Sequence, residues 1–144
     1  PPHATIDETT AWVRSMLEAG RTGQSEDDLV LEWNGVVVGK AGFWRAPELG
    51  FILHPSAQGR GLAAEALTLL LERAFAVRFY ARATADVDPR NQRCLRLLNG
   101  LGFRPFDYRE KTHQVSGQWY DSSFLELPAD RWASQRAVTG TPTR

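Results

Sequence analysis

Gln58-Gly59-Arg60-Gly61-Leu62-Ala63 is the stretch on which the reading of this chain turns. Before it, Glu48 to Leu53 reads as a strand that exits at His54-Pro55. After it, Ala63 to Phe75 carries Ala63, Ala66, Leu67, Leu70, Leu71 and Ala74 at the spacing of a helix face packed on a sheet. The order is strand, glycine-bearing turn, helix. Glycines let the backbone approach a ligand closely. A helix start offers free N–H groups and the positive end of a dipole. An anion is the natural guest, and a pyrophosphate the usual one.

Downstream, Val77-Arg78 leads into a strand over Phe79 to Val87. A strand reached through a helical crossover pairs in parallel with the strand at Glu48, joined right-handedly. Asp88-Pro89 reads as N-cap and first residue of a helix running to about Asn99, with Gly100 and Gly102 as its stop. Phe103 to Lys111 and Gln118 to Leu127 read as a closing antiparallel pair around Ser116-Gly117. Pro128 to Trp132 ends the fold, and Ala133 to Arg144 reads as a loose tail. Upstream, Thr5 to Glu8 fits a capping box at the head of a helix to about Glu18, with Trp12, Val13, Met16 and Leu17 on one face. A polar loop over Ala19 to Asp28 follows. Leu29 to Trp33 and Val36 to Trp44 flank Asn34-Gly35, whose φ > 0 preference marks a two-residue hairpin. The expected fold is mixed α/β: a central, largely antiparallel sheet with one parallel pair, flanked by about three helices.

The 144 residues fit a single domain. Equal numbers of basic and acidic residues, 17 each, argue against a dedicated nucleic-acid binder. No apolar run reaches 18 residues, so no membrane helix is expected. No signal-peptide pattern opens the chain, and the cytoplasm is the expected compartment. Cys94 is the only cysteine and the three histidines match no ligand spacing, so neither a disulfide nor a metal site is expected.

The chain resembles the GNAT family of N-acetyltransferases. Gln58-Gly-Arg-Gly-Leu-Ala63 is similar to its Q/R-x-x-G-x-G/A acetyl-CoA motif. Asn91-Gln-Arg-Cys94 followed by Leu101-Gly102-Phe103 resembles the N-x-x-S... G-F segment of the RimJ/RimL-like branch, as does the closing Gly117-Gln-Trp-Tyr-Asp121. The resemblance covers nearly the whole chain. It implies one acyl-CoA N-acyltransferase domain over residues 1–132, with a flexible tail over 133–144. It also implies that a strand and a helix which usually precede Ile6 to Glu18 are missing, leaving a sheet edge and part of the acceptor wall uncovered.

The implied activity is transfer of the acetyl group of acetyl-CoA to a primary amine, by direct attack through a tetrahedral intermediate. The acceptor is a protein N-terminus or a small-molecule amine. Gln58, Gly59, Arg60, Gly61, Leu62 and Ala63 are the pyrophosphate candidates, with Arg60 offering a charge-assisted contact. The thioester carbonyl needs a donor for its developing oxyanion. The resemblance places that donor among the backbone N–H groups of Phe51, Ile52 and Leu53, where the strand splays from its parallel neighbour and seats the pantetheine arm. Asn91 is a candidate for the pantetheine or for its own helix turn.

The attacking amine must be neutral, so a base helps: an α-amine has a pKa of about 8 and a lysine amine about 10. Glu48 and Asp86 are the candidates, each also readable as a surface carboxylate. Cys94 stands where the branch has Ser and could protonate the leaving thiolate, or serve only as a small buried hydrophobe. Leu98 occupies the position of the family's usual tyrosine, and Tyr120 is the alternative phenol. That thin supply of proton donors keeps a second reading open, a non-catalytic acyl-CoA-binding module. A homodimer is also left open.

Overall fold

The computed structural model describes residues 5–21 and 27–139. In chain order the elements are α1 (Ile6–Arg21), β1 (Asp28–Trp33), β2 (Val36–Arg45), β3 (Glu48–Leu53), a short 3-10 turn (Pro55–Ala57), α2 (Leu62–Ala76), β4 (Arg82–Val87), α3 (Gln92–Gly100), β5 (Arg104–Val115), β6 (Gln118–Pro128) and α4 (Ala129–Thr139). The six strands form one sheet in the order β1-β2-β3-β4-β6-β5. Every neighbouring pair is antiparallel except β3 and β4, which run parallel.

Local chemistry accounts for most of these elements. Thr5 and Glu8 close the capping box reciprocally: Glu8 N donates to Thr5 Oγ1 at 3.2 Å and Thr5 N to Glu8 Oε2 at 3.1 Å. The side chains of Trp12, Val13, Met16 and Leu17 lie outside the described ones. Asn34 and Gly35 both adopt positive φ (52° and 78°), the type I′ geometry that suits the twist of paired strands. Ser116 and Gly117 repeat it between β5 and β6 (50° and 79°). The interior joins Ala66, Leu67, Leu70, Leu71 and Ala74 of α2 to Ala41, Phe43, Leu49, Ala83, Ala85, Val87, Leu125 and Leu127 of the sheet, with Leu98 and Phe103 closing one end. Each fully buried leucine stabilises the fold by roughly 2 kcal/mol relative to exposure.

Four expectations need correction. The strand after α2 begins at Arg82, not Phe79, because Phe79 takes a left-handed φ of 55° and breaks the extended run. The helix after it starts at Gln92: the Asp88 carboxylate is occupied by the Arg90 backbone N–H (2.9 Å) and guanidinium (2.7 Å), and Asn91 is the N-cap. Among the described residues there are four α-helices, against the expected three or so. The fourth, α4, runs through Thr139, so the fold does not end at Trp132 and residues 133–139 are helix, not tail; 140–144 lie outside the described residues. Trp132 anchors α4 by packing on Phe75, 6.1 Å between ring centroids, and Arg136 reaches Glu72 of α2.

Asp27, at the head of β1, is 7% exposed and joins the sheet to the far end of α2. It accepts from Arg73 Nε at 2.6 Å and Arg78 Nε at 2.9 Å. Burial pushes its carboxyl up, but the hydrogen bonds and charges of the two arginines outweigh that and hold it below the usual carboxylate value of 3.8. Asp27→Asn should therefore cost about 2 kcal/mol at pH 7, less than a fully buried pair because both guanidiniums are partly exposed. Because the folded pKa is depressed, this stability is present above pH 3.8 and lost below it. Chemical denaturation of wild type and variant should show the gap at neutral pH and its closure in acid.

Candidate active site

The parallel pair opens almost as soon as it forms. Glu48 and Thr84 are its only register pair, fixed by Thr84 N donating to Pro47 O at 2.8 Å. Beyond it β3 stays on β2 as far as Leu53, while β4 stays on β6 as far as Val87. A bulge between Phe43 and Arg45 sits at the start of β3, where it bends the strand it interrupts. The result is a V-shaped opening in the middle of the sheet.

Over this opening lies a cleft of about 470 Å³. Its walls are Phe51, Ile52 and Leu53 of β3, the turn residues Gln58, Gly59 and Gly61, Leu62, Ala63 and Ala64 of α2, and Asn91, Arg93, Cys94 and Leu97 of α3. Gly59 and Gly61 have φ of 77° and 76°, conformations that residues with a Cβ avoid. A Cβ on Gly61 would meet no atom within 4 Å, so the space before the turn is open. Gly61 is also the N-cap of α2, so no side chain covers the first N–H groups of that helix. A cleft ending on uncapped N–H donors fits an acyl thioester with a phosphorylated tail.

The ladder sorts the three backbone donors expected on β3. His54 N donates to Val38 O at 2.7 Å, and Ile52 pairs with Lys40 two residues earlier, so the Ile52 N–H faces β2. Phe51 and Leu53 alternate with it and aim their N–H and C=O at the opening. Leu53 O accepts from Gln58 Nε2 at 3.2 Å.

Of the side chains singled out from sequence, Gln58, Gly59, Gly61, Leu62, Ala63, Asn91 and Cys94 come together in the cleft. Arg60 does not: its guanidinium stacks on the Trp33 ring, 4.2 Å from the centroid, away from the lining. Asn91 uses Oδ1 to accept from Cys94 N at 3.1 Å, which caps α3. Burial pushes the Cys94 thiol up to about 11. It therefore stays protonated at neutral pH, a hydrogen-bond donor and not a nucleophile. Tyr120 is absent from the lining; Arg90 lies over its ring at 4.0 Å and its hydroxyl donates to Gln118. Asp121 is spent on the Tyr108 hydroxyl (2.6 Å) and Lys111 N (2.9 Å).

Glu48 stands at the closed end of the opening and Asp86 two residues beyond Thr84 on β4; neither lines the cleft. Glu48 Oε1 accepts from Trp44 Nε1 at 3.0 Å. Burial raises the Glu48 carboxyl, the Trp44 bond lowers it, the Asp86 charge raises it again and Arg45 lowers it, with a net rise above its ordinary value. A half-buried carboxylate with a raised pKa at the closed end of the opening suits a proton acceptor. Arg93 was missed from sequence: nothing in the spacing of α3 distinguishes it from Gln92 or Arg96, and only the packing of α3 against the turn turns it into the cleft.

The family profile described as Acetyltransferase (GNAT) domain matches residues 1–104. The chain belongs to the GNAT acetyltransferase family. As a GNAT protein it is an acetyl-CoA-dependent N-acetyltransferase. It is 31% identical to the L-methionine sulfoximine/L-methionine sulfone acetyltransferase of Salmonella typhimurium, over 76% of this chain and 68% of that protein. It is 30% identical to the L-amino acid N-acyltransferase MnaT of Escherichia coli, over 92% of this chain and 78% of that one. Among solved structures it resembles yncA from Salmonella typhimurium, determined with its cofactor acetyl-CoA, at 29% identity and a TM-score of 0.71 over 90% of this chain and 76% of that one.

Cys94 gives a direct test of the leaving-group side. If its S–H donates to the departing sulfur, Cys94→Ser should keep most of the activity, and Cys94→Ala should lower kcat roughly threefold to tenfold, the worth of about one hydrogen bond. Steady-state turnover of the three proteins checks this; equal rates would leave Cys94 a packing residue.

Proposed function

We propose that this GNAT enzyme acetylates the α-amine of a free amino acid or a similar small molecule, by direct attack of the neutral amine on the thioester carbonyl of acetyl-CoA. The pyrophosphate lies on the turn from Gln58 to Ala63, the pantetheine arm runs along Phe51 to Leu53, and the Phe51 or Leu53 N–H meets the carbonyl oxygen. Glu48 takes the proton from the ammonium, directly or through water, with Asp86 keeping the Glu48 carboxyl basic.

The observation that carries this reading is the cluster at the closed end of the opening. Two carboxylates there attract an ammonium, and Arg45 is near enough for its charge to act on Glu48 while it stacks on Trp44 at 5.3 Å. A free amino acid brings one group for each sign; a peptide N-terminus brings only the amine. The amine must lose a proton before it attacks, and a carboxylate placed beside it supplies the base. The amino-acid acceptors in the names of the two relatives point the same way.

The test compares kcat/KM for methionine, methionine amide and a peptide beginning with methionine. The free acid should exceed the other two by about tenfold, the worth of one charge-assisted contact. Equal or better use of the peptide would move the acceptor to protein N-termini.

A further inference from the structure

We propose that Arg93 is the cation that receives the cofactor's pyrophosphate, held over the glycine turn by Gln58 until the cofactor arrives. The inference rests on the acetyl-CoA reading of the cleft and adds to it a residue outside the glycine motif. Arg60, the arginine inside that motif, is committed to the Trp33 ring and does not line the cleft. Arg93, the second residue of α3, does line it. Its Nη1 donates to Gln58 Oε1 at 2.5 Å, and its Nη2 lies 3.6 Å from where a Cβ on Gly59 would sit.

Its present partner is also one that a phosphate can displace. Arg73, Arg78, Arg82, Arg90 and Arg109 are each paired with a carboxylate. Among the described residues Arg93 has none, and its partner is a neutral amide. A phosphate competes well against an amide for a guanidinium, because charge-assisted contacts are roughly twice as strong as neutral ones. Gln58 is itself a crossbar: its Nε2 end donates to Leu53 O, so the side chain spans from the end of β3 to the start of α3. Filling the cleft exchanges both ends at once. Arg93 passes from Gln58 to the phosphates, and Leu53 O passes from Gln58 to an amide of the pantetheine arm. The planar fork of arginine can bridge two phosphate oxygens, which a lysine ammonium cannot do in the same way.

Calorimetric titration with CoA, 3′-dephospho-CoA and pantetheine tests this without turnover. Wild type should bind both nucleotides far more tightly than pantetheine. Arg93→Ala should weaken CoA and dephospho-CoA alike by roughly tenfold to a hundredfold, leave pantetheine nearly unaffected, and lose more than Arg60→Ala does. Arg93→Lys should recover part of the loss. Equal weakening of pantetheine, no weakening of CoA, or a loss confined to CoA and absent with dephospho-CoA would each overturn the assignment. A wild type that fails to distinguish CoA from pantetheine would remove the pyrophosphate reading of the turn itself.

Discussion

Gly61→Glu should leave the chain folded and abolish measurable binding of acetyl-CoA. The position has φ of 76° and caps α2. Any L-residue there pays about 1–2 kcal/mol of left-handed strain, which a domain of this size can absorb. A Cβ meets no neighbour within 4 Å, so no core contact is disturbed. The new side chain would instead fill the space in front of the helix N–H groups with a carboxylate. It would occupy the donors and repel the phosphates together. Losing two or three charge-assisted contacts corresponds to an affinity drop of at least a hundredfold. Gly61→Ala separates the two effects: it carries the strain without the charge and should lose far less. Calorimetry with a thermal melt on each variant gives the answer, and undiminished affinity in the glutamate variant would sink the pyrophosphate assignment.

Glu48→Gln should cut kcat/KM by about a hundredfold while raising stability. The first half follows from the low end of the usual worth of a positioned base, 10²–10⁴-fold, since the neutral fraction of the amine can still react without one. The second half follows from the sign of the shift. Glu48 is raised above its ordinary 4.5, chiefly by burial and then by the charge of Asp86, against the Trp44 hydrogen bond and Arg45. A carboxyl with a raised folded pKa binds its proton more tightly in the native state, so its ionisation destabilises the fold as pH climbs above 4.5. Glutamine keeps an oxygen for Trp44 Nε1 and removes the charge beside Asp86. The variant should therefore melt higher than wild type at pH 7, with the gap vanishing below pH 4. In wild type the acid limb of the pH–rate profile should titrate above 4.5 and disappear in Glu48→Gln. A variant that is both slower and less stable would make Glu48 a structural residue.

The parts legible in the sequence are those set by local chemistry. Asn34-Gly35 and Ser116-Gly117 demand positive φ and so mark two hairpins. The spacing of Ala66, Leu67, Leu70, Leu71 and Ala74 fixes a helix face, and a crossover helix after β3 forces a parallel neighbour. The glycine turn follows because the strand, the two glycines and the helix start are adjacent in the chain. What escaped depends on tertiary contacts. Asp88 has the chemistry of a cap, but Arg90 takes its carboxylate, and the role passes to Asn91. Among the described side chains of α4 only Trp132 is buried, so its pattern is too weak to see before Phe75 and Glu72 are placed beside it. That Arg93 lines the cleft and Arg60 does not has the same origin. A motif reports which residue is near the turn in sequence, whereas the side chain's direction is decided by Trp33 on one side and Gln58 on the other.

On the proposed mechanism, the cleft positions an acetyl thioester for attack by an amine that Glu48 has deprotonated. The most direct measurement mixes the protein, acetyl-CoA and methionine sulfone, and follows free thiol and N-acetyl product in the same sample. Thiol should appear only when the amine is present, in equal amount to N-acetylated product, and Glu48→Gln should slow both together. Tight binding of acetyl-CoA with no amine-dependent thiol release, from this amine or any other in a panel of amino acids and N-terminal peptides, would contradict it.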